Sequence, residues 1–170
     1  MKTLFTLFSL LVLFTGTTFA QTFSADQRQS LRGIDQMLLV VDFVQDATVL
    51  ENLNRDEIEN IIRRRLAGEG IRLMGEVEWS RSEMVPYLYV YLNVLRTEFG
   101  VLTYRIEVNL KQEVILRNNR SLYQHAPTWQ TGTLGMIGVN QIPSLRDEIL
   151  DLVDIFIGDY RDINNPDSGD

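Results

Sequence analysis

"YLYVYLNVLRTEFGVLTYRIEVNLK", residues 87–111, decides the fold. Tyr87, Tyr89 and Tyr91 occupy every second position, with Leu88, Val90, Leu92 and Val94 between them. Successive side chains of a strand point to opposite faces, so this pattern specifies one aliphatic face and one row of tyrosines. A three-residue loop, Glu98-Phe99-Gly100, puts glycine where such a hairpin needs positive φ. Val94 then faces Tyr104, Leu92 faces Ile106, Val90 faces Val108 and Leu88 faces Leu110, which makes one wholly apolar face. On the other face Asn93 meets Arg105, Tyr91 meets Glu107, Tyr89 meets Asn109 and Tyr87 meets Lys111. A slip of one residue would mix the two faces, so the register is strongly specified.

Outward from this hairpin, "GIDQMLLVVDFV" (33–44) is apolar on both parities from Met37 to Val41, which suits a central strand. Asn54, with Glu57 three residues on, opens a helix over 54–67. Ile58, Ile61, Ile62 and Leu66 fall at helical spacing, and Gly68 and Gly70 end it. Ile71, Leu73, Val77 and Trp79 alternate as a second strand, with Gly75 a bulge candidate. Beyond the hairpin, Asn118-Asn119 is a turn pair and "SLYQHAPTWQTG" (121–132) a fifth strand, demoted towards an edge by Pro127. Gly132, Gly135 and Gly138 give "TGTLGMIGVNQIP" the look of a flexible loop. Pro143 and Ser144 then open a last helix, in which Leu145, Ile149, Leu152, Val153, Phe156, Tyr160 and Ile163 form one stripe. The order β-α-β-β-β-β-α predicts a single α+β domain over residues 33–164. Its antiparallel sheet has about five strands, and two helices pack on one face.

Both ends read differently. Lys2, the apolar run Leu4–Phe14 and the small residues around Thr18-Phe19-Ala20 make residues 1–20 a secretory signal, too short to span a bilayer. Residues 21–32 read as a flexible polar segment and 165–170 as a disordered tail. The chain is therefore expected to be exported, to the periplasm or beyond the cell, with no integral membrane span.

The chain has no cysteine, which removes disulfides, a lipid-bearing cysteine and nearly all Cys/His zinc sites. The formal charge is −7, and loss of Lys2 with the leader takes it to −8. So acidic a chain is a poor partner for nucleic acid or anionic lipid, both of which are held mainly by Lys and Arg. The one basic run, Arg63-Arg64-Arg65, has Glu59 four residues before Arg63, as on a solvated helix face.

Few residues invite catalysis. The single histidine, His125, has no evident nucleophile beside it. With a two-residue turn at Asn118-Asn119 it would lie near Gln112, and Trp129 near Val108, both on the core face. A bulge in Val114-Ile115-Leu116 would switch that parity. Glu76 and Glu78 would share a strand face, as a glycosidase pair might, but exposed strands carry such pairs commonly. Asp147, Asp151 and Asp154 form a solvated helical stripe. No catalytic residue, cofactor or metal ligand is assigned.

The stretches "PYLYVYLNVL", "YRIEVNLKQEVIL", "TWQTG" and "LVDIFIGDYRDIN" resemble a set of small secreted bacterial proteins of uncharacterised function. At fold level the element order is similar to periplasmic envelope-assembly and lipid-transport auxiliary lipoproteins. That resemblance implies two helices on one face of a sheet; the lipid-bearing cysteine of those families is absent here. The expectation is a non-enzymatic module that binds a protein or envelope component through Tyr87, Tyr89, Tyr91, Arg105 and Lys111, since Tyr and Arg contribute most at interfaces. Two alternatives stand beside it: a small hydrolase using His125 with nearby carboxylates, and a structural protein that self-associates into oligomers.

Overall fold

The computed structural model describes residues 25–45, 53–82, 84–97 and 100–165. The signal reading of residues 1–20 and most of the tail lie outside them. Five strands form one sheet: β1 (Gln36–Gln45), β2 (Arg72–Met74), β3 (Tyr87–Arg96), β4 (Val101–Leu116) and β5 (Asn119–Gly138). The helices are α1 (Ala25–Gln29), α2 (Arg55–Gly68), α3 (Glu76–Trp79) and α4 (Ser144–Asn164). The class is α+β, as the element order indicates.

The β3–β4 register is the one read from the alternation, from Tyr87 opposite Lys111 through Val94 opposite Tyr104, and it continues to Arg96 opposite Leu102. Gly100 takes the positive φ of 75° that the turn requires. Leu88, Val90 and Leu92 from β3, with Ile106, Val108 and Leu110 from β4, are all fully buried. They join one core with Ile58, Ile62 and Leu66 of α2 and Leu145, Ile149, Val153 and Phe156 of α4. Burial of each such side chain is worth roughly 1.5–3 kcal/mol. The α2 start is capped as read: Asn54 Oδ1 accepts from the Glu57 N–H at 3.1 Å.

Three expectations need correction. First, the sheet is mixed. Its order is β2-β1-β3-β4-β5, with β1 parallel to both neighbours and only β3-β4-β5 antiparallel. Helix α2 carries the chain back along the sheet between β1 and β2, which is what a parallel pair demands. Second, the strand expected to reach Trp79 stops at Met74, and Glu76–Trp79 turn into the short helix α3. Glu76 and Glu78 therefore share no strand face, and Glu78 pairs with Arg72. Third, the glycine-spaced segment is not a loop: β5 runs on to Gly138. Two smaller differences accompany these. The β4–β5 turn falls on Arg117 and Asn118, and the polar segment before residue 33 holds α1 and a fully buried Leu31.

The sheet has one face under α2 and α4 and one free of them. On β1, Met37, Leu39 and Val41 join the main core, while Leu38, paired with Met74 and Tyr87, points the other way. Leu38 and Met74 are nonetheless buried, at 5% and 3% exposure. They mark the end of that face where Trp79 packs on Tyr87, closed by the Leu38 N–H donating to the Pro86 carbonyl at 3.0 Å.

Candidate functional site

The helix-free face carries the tyrosine row. Tyr87, Tyr89 and Tyr91 are each half-buried. The rings of Tyr89 and Tyr91 stack with centres 5.9 Å apart and planes at 17°, so they stand in a row along β3 rather than lying flat as a platform. Lys111, opposite Tyr87 in the ladder, brings Nζ to 4.5 Å from the Tyr89 ring centre and 5.5 Å from that of Tyr87. A cation over a tyrosine face is attracted by the ring quadrupole, which holds this lysine stem down across the row. Tyr89 Oη donates to Asp42 Oδ2 on β1 at 2.7 Å. Burial, then that hydrogen bond and the carboxylate charge, push the Tyr89 phenol up to about 12.

Two residues not foreseen in this cluster complete it. The Trp79 ring meets Tyr87 edge-on at 5.6 Å, and its Nε1–H donates to the Val85 carbonyl at 2.8 Å. His125 lies 5.6 Å from Tyr87 and 5.9 Å from Trp79, ring centre to ring centre. His125 is on this face because the β4–β5 ladder is bulged. Trp129 faces Leu110 but Pro127 faces Lys111, leaving Thr128 as an extra residue. Above the bulge Trp129 is fully buried in the core; below it His125 is turned outward, opposite Glu113. The core position expected for Trp129 holds, two residues along at Leu110, while the one expected for His125 does not. A second irregularity falls at Ile115/Leu116, within the apolar run that suggested a bulge. The signal for the switch was Pro127, which cannot donate to the ladder.

Arg105 stands apart from this cluster. It lies opposite Asn93, pairs with Glu107 on its own strand, and lines a groove of about 610 Å³ with Glu107, Asn109, Gln130, Gly132 and Leu134. At the far end of the same face four apolar side chains are open to solvent: Leu95 at 61%, Val101 at 37%, Leu134 at 78% and Met136 at 73%. Residues 133–138 pair with Val101–Ile106 and leave the tyrosines, which face Glu107–Lys111, uncovered.

Of the five residues expected to form a surface, the fold thus brings Lys111 onto Tyr87 and Tyr89, stacks Tyr91 beside them, and places Arg105 in the adjoining groove. Among the described residues no group of His, Asp and Glu could hold a metal ion, and no helix is long and apolar enough to cross a membrane. Asp154 of the helical acidic stripe pairs with Arg65 of α2, and Arg63 with Glu59 as its spacing indicated.

No protein-family model matches the chain. No curated protein matches it either. Among solved structures it is similar to a minor lipoprotein from Acinetobacter baumannii, at 16% identity and a TM-score of 0.36 over 76% of this chain and 92% of that one. It is also similar to the PelC dodecamer from Paraburkholderia phytofirmans, at 15% identity and a TM-score of 0.40 over 72% of this chain and 86% of that one. Both are weak structural echoes, and neither assigns an activity to this chain.

Proposed function

We propose that this chain is an exported, non-enzymatic binding module of the cell envelope. Its partner, a protein or envelope component, lies across the helix-free face at Tyr87, Tyr89, Tyr91 and Lys111, with Arg105 beside them. The observation that carries this reading is the lysine held over two half-buried tyrosines and continued by Trp79 and His125. Five side chains, apolar in body and polar at the tip, converge there on the face that α2 and α4 leave free. Export rests on the reading of residues 1–20. The test replaces Tyr87, Tyr89 and Tyr91 by serine and compares crosslinked capture from the native envelope fraction. Loss of the partner with an unchanged circular dichroism spectrum supports the reading, and unchanged capture overturns it.

One observation favours a hydrolase as a second reading. Glu113 faces His125 across the ladder, a base and a carboxylate side by side. In any hydrolytic assay to which the wild type responds, His125→Ala must lose activity; full activity removes this reading.

A further inference from the structure

We propose that β5 pairs edge to edge with β5 of a second copy of this chain, about a two-fold axis at Leu134. β5 is the last strand of the sheet, and among the described residues no strand lies beyond it. Sheet edges invite pairing, and proteins that must stay single blunt them with charge, proline or a bulge. Here the proline and one bulge fall at Pro127 and Thr128, guarding only the lower half of the strand. The upper half, Gln130–Gly138, is undefended: no charged residue stands between His125 and Arg146. In a chain with 39 charged residues among 170, 16 basic and 23 acidic, that gap is a local departure from the rest of the surface.

The register follows from shape. Leu134 and Met136 project from the helix-free face at 78% and 73% exposure, whereas Gly132, two residues back on the same face, offers no side chain. Nor can it carry one cheaply, since a Cβ there would stand 2.6 Å from the Ile106 carbonyl oxygen. The groove beside Gly132 has Leu134 on its rim. Antiparallel pairing centred on Leu134 sets the two leucines side by side and lays Met136 of each copy over the partner's Gly132. A protruding methionine thus meets a hole, twice, by symmetry. This is the self-complementarity an isologous contact needs, and it is what selects a second copy over an unrelated strand. Even-numbered residues of both strands stay on one side, so the axis is normal to the sheet and both tyrosine rows come to lie on one surface. The pairing does not depend on what those rows bind, and its test reads mass alone.

The test is sedimentation of the purified chain with Leu134→Lys and Leu134→Glu, each alone and mixed in equal amounts. The wild type is expected at twice the monomer mass. Each variant alone sets like charges against each other at the axis and should weaken association at least about tenfold. The mixture should recover the dimer, which misfolded variants would not do. As a second readout, Leu134→Cys in this cysteine-free chain should oxidise to a covalent dimer far faster than Val77→Cys, an exposed control. A wild type that is monomeric across the concentration series overturns the proposal. So does a dimer unmoved by the charged variants, a mixture without recovery, or equal oxidation at the two cysteines.

Discussion

The ring of Tyr104 fills the space that a side chain on Gly135 would need: a Cβ there would stand 2.5 Å from Tyr104 Oη and 2.6 Å from Cζ. Tyr104 is 7% exposed, and from this position its hydroxyl donates to Glu148 Oε1 of α4 at 2.8 Å. The glycine lets the ring reach across from β4 to the last helix. Gly135→Ala is therefore expected to displace the ring and cost about 1–3 kcal/mol in denaturant unfolding. In a Tyr104→Leu background the same substitution should cost much less. Equal costs in both backgrounds would show that the contact does not couple them.

Alkaline pH should weaken the fold. The phenols of Tyr89 and Tyr104 are each pushed up to about 12 from the usual 10, by burial first and then by hydrogen bonds to Asp42 and Glu148. Between those values the folded state holds protons that the unfolded chain has released. The stability they supply is complete below pH 10 and is lost as pH rises through about 12. Urea midpoints should stay level from about pH 8 to about pH 10 and fall beyond it, and Tyr89→Phe should flatten part of that fall.

Trp129 is fully buried and edge-on to Phe156 at 5.1 Å, and its Nε1–H donates to Asp159 Oδ2 at 2.9 Å. Asp159 also lies 3.3 Å from Arg28 Nε, so the carboxylate ties α1 and α4 to the indole. Trp129→Ala should cost roughly 3–5 kcal/mol through the cavity it leaves. Trp129→Phe keeps most of the ring volume and loses the hydrogen bond to a charged acceptor, for about 1.5–3 kcal/mol. Thermal unfolding of the two variants separates these contributions.

Asn54→Ala removes the acceptor for the Glu57 N–H at the start of α2. A loss of about 1 kcal/mol is expected, without change in the denaturant slope.

The β3–β4 hairpin was legible because both of its faces carry information: a slip would bury Arg105 and Lys111 and expose Val108. The strand end at 133–138 was hidden. Glycine lowers strand propensity locally, and the reasons for Gly132 and Gly135, the Ile106 carbonyl and the Tyr104 ring, exist only once β4 lies alongside. Strand order was equally out of reach, since β1 alternates no differently beside parallel neighbours than beside antiparallel ones. Segment 75–79 misled in the opposite sense: Val77 and Trp79 extend a strand-like alternation, but Trp79 N–H donates to the Gly75 carbonyl at 2.9 Å and closes a helical turn. At the candidate site Lys111 could be placed over the tyrosines from register alone. Trp79 and His125 could not, because one arrives on that turn and the other through a one-residue bulge.

The central claim, that the helix-free face meets a partner, is tested most directly by a photocrosslinking amino acid placed at Tyr87 or Tyr91 and, as a control, at the exposed Asp151 on α4. In native cells the account predicts one discrete adduct of the same mass from both tyrosine positions and none of that mass from Asp151. Adducts that are identical from all three positions, or absent from the tyrosine positions, would contradict it.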